Sequence, residues 1–214
     1  MDCCQCKGIE SVFDEKEARG KLRDYRKSGP SKTTAMLIEA VKRLAHGVEG
    51  MTLLDIGGGV GAIQQELLRA GLERATDVDA SGAYLKAARE EAERRGNAEK
   101  VSYTHANFVE VAGEIAPADI VTLDRVICCF NDMEALVGRS AEKAGKLYGV
   151  VYPRDTWWVR SAFFAENVWL RITRNPFRAF VYRTRDVERV VREKGLERRF
   201  YKTAGPWQVA VFGR

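Results

Sequence analysis

The run Thr52-Leu-Leu-Asp-Ile-Gly-Gly-Gly-Val-Gly61, followed without a break by Ala62-Ile-Gln-Gln-Glu-Leu-Leu-Arg-Ala70, limits the possible folds of this chain more than any other stretch. An apolar segment, a glycine cluster and an amphipathic segment at helical spacing predict a strand, a tight turn and a helix. This is the unit from which an α/β sheet builds a ligand cradle. Gly57, Gly59 and Gly61 permit the turn and remove the Cβ atoms that would hold a ligand off the backbone. Asp55 sets a carboxylate at the strand end, which disfavours a pyrophosphate and favours a cationic ligand. A second acid, Asp79, closes Arg74-Ala-Thr-Asp-Val-Asp79 and lies 22 residues after Gly57. An acid about 20 residues beyond the glycines is placed to grip a ribose diol. A nicotinamide or flavin dinucleotide is the alternative, because Gly57-x-Gly59-x-x-Ala62 also fits a dinucleotide fingerprint, and a bare turn without ligand is the other. No GxxxxGK[ST] motif follows, which argues against an NTPase.

The phrases Leu-Leu-Asp-Ile-Gly-Gly-Gly-Val-Gly and Asp-Val-Asp-Ala-Ser-Gly-Ala-Tyr-Leu resemble the first- and second-strand signatures of class I S-adenosylmethionine-dependent methyltransferases. The resemblance implies an α/β fold: a single Rossmann-like doubly wound sheet of about seven strands, mostly parallel with an antiparallel C-terminal strand, plus N-terminal helices. It implies S-adenosylmethionine as cofactor and S-adenosylhomocysteine as product. In that arrangement Asp55 faces the methionine end, Gly57, Gly58 and Gly59 line the cofactor, and Asp79 with Ala80 holds the ribose. Asn107 and Phe108 stand where the family carries an acid and an apolar neighbour that bracket the adenine, with Asn107 replacing the usual Asp. Leu123 completes the implied cofactor contacts.

With 45% hydrophobic residues in 214, the chain can bury a full core as one domain. No apolar run approaches a membrane span, and Met1-Asp-Cys-Cys-Gln-Cys lacks the regions of a secretory signal, so a cytoplasmic protein is expected. Five cysteines, Cys3, Cys4, Cys6, Cys128 and Cys129, do not form the even framework of a secreted disulfide scaffold. The net charge of +5 is uneven: residues 154–202 hold thirteen Lys and Arg against six Asp and Glu. Such a segment favours an anionic partner, whether a carboxylate-bearing small molecule, a nucleic acid or a membrane surface, or else is a solvated basic face.

Taken in order, Ser11 to Lys27 reads as a charged helix with a thin apolar stripe. Ser31 then caps a second helix from Thr33 to Ala45 that ends at His46-Gly47. Residues 1–30 are expected to form a cysteine-containing segment and helical lid, and 31–214 the methyltransferase domain. Later strands are expected at Val101–Ala106, Lys146–Pro153, Leu196–Lys202 and Trp207–Phe212, the last two as an antiparallel pair, and Ala118 to Asn131 is expected to hold the fourth strand and the loop beyond it. Residues 155–185 interleave aromatic side chains with arginines. They are expected either to cover a large flat substrate, with Trp157, Trp158 and Arg160 contacting it, or to pack on the sheet as an amphipathic helix.

Val-Thr-Leu-Asp-Arg-Val-Ile-Cys-Cys-Phe, then Tyr-Gly-Val-Val-Tyr-Pro-Arg-Asp-Thr-Trp-Trp and the helix from Arg183 to Arg192 resemble magnesium-protoporphyrin O-methyltransferases. Tyr25 matches that family's N-terminal tyrosine, whereas Cys128 or Cys129 stands where it has a histidine. Methyl transfer from a sulfonium needs positioning more than covalent catalysis. With only His46 and His105, both read as structural, an acceptor that needs no base is favoured. A carboxylate, ionised at neutral pH with a pKa of ~4.3, comes first. Tyr25, Asp124 and Cys128 are then the catalytic candidates and Cys129 a substrate contact. The alternatives are S-methylation of a thiol or methylation of a soft metalloid at the cysteines, an RNA-binding or RNA-methylating protein, and a scaffold without turnover. No standard metal-site spacing is present.

Overall fold

A computed structural model describes residues 4–214, with side chains from Gly8 onward. Cys3 lies outside the described residues, and only the backbone of Cys4 and Cys6 is described. Helices α1 (Cys4–Val12), α2 (Glu15–Ser28) and α3 (Lys32–Leu44) precede β1 (Thr52–Ile56). There follow α4 (Ala62–Arg69), β2 (Arg74–Asp79), α5 (Gly82–Arg94), β3 (Val101–His105), α6 (Phe108–Val111), β4 (Ala118–Asp124), α7 (Met133–Glu142) and β5 (Ala144–Pro153). The chain closes with α8 (Trp157–Ile172), α9 (Thr184–Glu193), β6 (Glu197–Ala204) and β7 (Trp207–Gly213).

The seven strands form one sheet in the order β3-β2-β1-β4-β5-β7-β6. The first five in that order pair in parallel, and β7 runs antiparallel to both β5 and β6. The order reverses between β1 and β4, and in doubly wound sheets ligands bind at the carboxyl ends of the strands flanking such a switch point.

Alternation along the strands divides the core. Leu54, Ile56, Val121, Val150, Ala210 and Phe212 point to the face covered by α6, α7 and α9. Leu53, Ile120, Val151, Val209 and Val211 meet α3 and α4 on the other. Each fully buried aliphatic or aromatic side chain contributes about 1.5–3 kcal/mol. Contact on the second face is close at Gly149, where an added Cβ would stand 2.7 Å from Leu37 Cδ1.

The N-terminal region differs from the single helix expected over Ser11–Lys27. The chain breaks at Phe13-Asp14, and the Asp14 carboxylate accepts the Glu17 N–H (2.9 Å) to start α2. The break frees Phe13 to pack against Tyr84 and Phe177, at ring distances of 5.7 and 5.8 Å. Beyond it, Ala18, Leu22 and Tyr25 of α2 bury a narrow stripe against Val60 and Ala87.

Candidate functional site

The turn after β1 is held by its backbone. Gly57 and Gly59 sit at φ +65° and +59°, where a Cβ is costly, and the Gly57 N–H donates to the Val78 carbonyl (2.8 Å), tying the turn to β2. A Cβ at Gly57 would lie 2.5 Å from Val126 Cγ2, whereas one at Gly59 would meet nothing within 4 Å. Gly59 therefore presents bare backbone to the open space above the sheet.

Beneath the turn lies a layer of buried acids. Asp55 and Asp77 are register partners on β1 and β2, and Asp79 stands two residues further along. The Asp55 carboxylate accepts from Thr122 Oγ1 (2.7 Å) and Gln64 Nε2 (3.1 Å), and Asp77 Oδ1 from the Gly58 N–H (3.3 Å). Asp79 Oδ1 accepts the Ser81 N–H (2.8 Å) and its Oδ2 the Gly59 N–H (3.2 Å). Burial raises all three carboxyls, with Asp55 pushed up to about 7 and Asp77 well above the carboxylate range. Asp77 Oδ2 is buried without a hydrogen-bond partner. The sequence reading missed Asp77; its signal is the two-residue spacing from Asp79, which puts both on one face of a strand.

A cavity of about 960 Å³ opens above this layer at the switch point. Asp55, Gly57, Gly58, Gly59, Asp79, Ala80, Asn107 and Phe108 line one end. Tyr25, Asp124, Cys128 and Cys129 line the same cavity, together with Thr34 and Arg125, which the sequence reading did not single out. Asn107 Oδ1 also accepts the Val109 N–H (3.1 Å), capping α6.

Four expected contacts are not brought to the cavity. Leu123 is fully buried in the core on the α7 and α9 side, because alternation along β4 turns it away. Trp157 is 80% exposed, Trp158 faces solvent in part, and Arg160 pairs with Asp155 (2.5 Å). The cause is the seating of α8: its buried residue is Val159, and Phe163 and Glu166 on its inner side reach the cavity instead.

At the strand-four edge, Arg125 adopts φ +64°, a left-handed conformation that is costly for a side-chain-bearing residue. Its guanidinium donates to Ser31 Oγ and to Thr33 Oγ1 (3.1 Å) and lies over the Trp207 ring at 5.5 Å. Asp124 accepts from Thr34 Oγ1 (2.5 Å) and faces Arg125 Nε at 3.4 Å, an ion pair without hydrogen-bond geometry. Burial raises the Asp124 carboxyl against the opposing pull of Arg125. The Tyr25 hydroxyl donates to Glu66 (2.9 Å), and burial together with that carboxylate pushes its pKa up. His105 Nε2 contacts the Ala80 carbonyl (3.2 Å) and Glu10 (3.4 Å). His46 stands in a left-handed conformation just past the end of α3.

Residues 54–143, from β1 through α7, match the family profile described as a methyltransferase domain. Those residues form a methyltransferase domain, for which S-adenosylmethionine is the methyl donor. The chain superposes on magnesium protoporphyrin IX methyltransferase from Synechocystis PCC 6803 with a TM-score of 0.75 at 14% identity, covering 98% of this chain and 99% of that one. It also resembles an O-methyltransferase family protein from Burkholderia thailandensis (TM-score 0.72, 18% identity, 96% of this chain and 62% of that one). A third likeness is to an O-methyltransferase family 2 protein from Planctomyces limnophilus in complex with apigenin (TM-score 0.69, 15% identity, 94% and 61%). At these identities the likeness is one of fold. No curated protein matches the chain in sequence.

The residues present fit S-adenosylmethionine. The donor is cationic at sulfur and the cavity floor is acidic, which suits a positive charge better than a phosphate. The open backbone at Gly59 and the carboxylate at Asp79 suit a nucleoside laid across the turn.

Proposed function

We propose that the methyltransferase acts on a small molecule held in the 960 Å³ cavity and that its acceptor atom is a carboxylate oxygen, as in an acid of the porphyrin-propionate kind. In this reading Asp79 and Ala80 hold the ribose, Asn107 and Phe108 the adenine, and Asp55 with Gly57, Gly58 and Gly59 the methionine end. Tyr25, Asp124, Cys128 and Cys129 border the acceptor. S-Adenosylmethionine supplies an electrophilic methyl on sulfur, and the protein's task is to orient the acceptor in line with it and keep water out.

The observation that carries the reading is the state of the cavity's proton-bearing side chains. Tyr25 is committed to Glu66 and its pKa is raised, while His105 is turned toward the Ala80 carbonyl and does not line the cavity. Neither Tyr25 nor His105 is free to take a proton from an acceptor, whereas a carboxylate arrives ionised and needs no base. Lys21 and Lys32 are cations of the cavity wall that can meet it, beside Glu17 and Asp24 on the same wall. The shared fold with a methyltransferase named for a porphyrin substrate gives further support. No described helix is long and apolar enough to cross a membrane. Neighbouring thiols at Cys128 and Cys129 suit a reducing compartment, and we place the protein in the cytoplasm.

Calorimetric titration with S-adenosylmethionine, followed by measurement of S-adenosylhomocysteine release against porphyrin propionates and smaller carboxylates, tests this. Donor binding with carboxylate-dependent release is expected. Binding without release would remove the carboxylate, and failure to bind the donor would remove the whole reading.

A further inference from the structure

We infer that Cys128 and Cys129 form a two-thiol site, in the wall of the cavity, for a trivalent metalloid hydroxide of the arsenite kind. The pair lies on the short 3-10 turn Ile127–Cys129 that follows β4, and both residues line the cavity. Consecutive side chains on a strand point apart, but this turn brings the two together. Their Sγ atoms are 3.8 Å apart, and both thiols donate to the Arg125 carbonyl, at 3.3 and 3.4 Å. Two sulfurs at ~2.3 Å from one pyramidal centre with bond angles of ~100° are about 3.5 Å apart, so the pair stands within a few tenths of an ångström of the separation that a single bridging atom requires.

The chemistry of the pair selects the ligand class. Among the described residues, no group of three His, Cys, Asp or Glu side chains is arranged to hold a metal ion. Two thiols alone also leave a structural divalent cation two ligands short of its usual four. A trivalent hydroxide needs no prior ionisation. Two S–H bonds and two element–oxygen bonds break, two element–sulfur bonds form, and both protons leave with the hydroxides as two waters. No oxidation state changes, so no oxidant or reductant is required. Capture stands apart from methyl transfer, and failure of the carboxylate reading would not remove it.

Cys4 and Cys6 lie on α1, whose Ile9 and Val12 line the same cavity, so the test is made on the full chain with Cys3, Cys4 and Cys6 replaced by Ser. Phenylarsine oxide is the probe. One phenylarsenic adduct per chain is expected in the intact mass, resistant to glutathione and released by 2,3-dimercaptopropanol. Adding Cys128→Ser or Cys129→Ser should weaken binding roughly 100-fold, the advantage that a second linked ligand confers. Because Cys128 is buried and its replacement can disturb folding, a second measurement leaves both thiols in place. Phenylarsine oxide should protect Cys128 and Cys129 from iodoacetamide, read by peptide mass. Absence of the adduct, its retention in both single variants, or unprotected alkylation would overturn the inference.

Discussion

Asp55 and Asp77 face each other across β1 and β2 with Asp79 beside them, and ionising all three in a buried layer is costly. An unfolded Asp releases its proton near pH ~3.9, whereas folded Asp55 holds it to about 7, and burial also raises folded Asp77 well above the ordinary carboxylate range. Between those limits the fold binds more protons than the unfolded chain. Stability should therefore fall as pH rises from ~4 toward 7. Asp77→Asn should flatten that decline in a series of melting temperatures, and an unchanged slope would contradict the assignment. Asp79→Asn should weaken S-adenosylmethionine binding by roughly 10- to 100-fold in calorimetry, the scale of one hydrogen bond to a charged group. Asp55 and Asp79 were legible in the sequence because the glycine spacing marks them. Asp77 was not, since its role depends on which residue the neighbouring strand sets opposite it. The same holds for Arg125 and Thr34, which meet at the strand-four edge from positions far apart in the chain.

Among the elements, α8 separates what composition suggests from what packing decides. Its tryptophans and arginines read equally well as a substrate cover or as a packed helix, and the structure follows neither reading fully. Trp157, Phe164, Trp169 and Ile172 are each at least 66% exposed, and the inner side offers Phe163 and Glu166 to the cavity. The double variant Trp157→Ser, Trp169→Ser should leave kcat/KM of the methyl transfer within about twofold, since surface substitutions away from a site are usually within ±0.5 kcal/mol. A larger loss would return the outer face of α8 to the substrate site. The strands were far easier to read. β1 and β2 match their expected limits, and β4 ends at the Asp124 where its apolar run ends. Apolar runs bounded by charged or glycine positions carry their own limits, whereas the break between α1 and α2 rests on a local Asp14 cap.

For the molecule as a whole, a donor that binds only the folded state should raise its melting temperature. At 100 times its dissociation constant S-adenosylmethionine adds about 2.7 kcal/mol, which for a chain of this size is a shift of roughly 5–11 °C. No shift in a thermal melt would argue against a preformed cradle. The first helix also meets the segment between α8 and α9. Gly8 on α1 lies so close to the 176–177 backbone that a Cβ would come within 2.8 Å of the Phe177 nitrogen, and Phe13 packs edge-on against the Phe177 ring. Gly8→Leu cannot keep that approach, and S-adenosylhomocysteine should dissociate faster from the variant in stopped-flow measurements, with an unchanged rate counting against the idea. Because its partner lies at residue 177, the first helix can take this place only after most of the chain has left the ribosome, so it is among the last pieces to settle against the cavity.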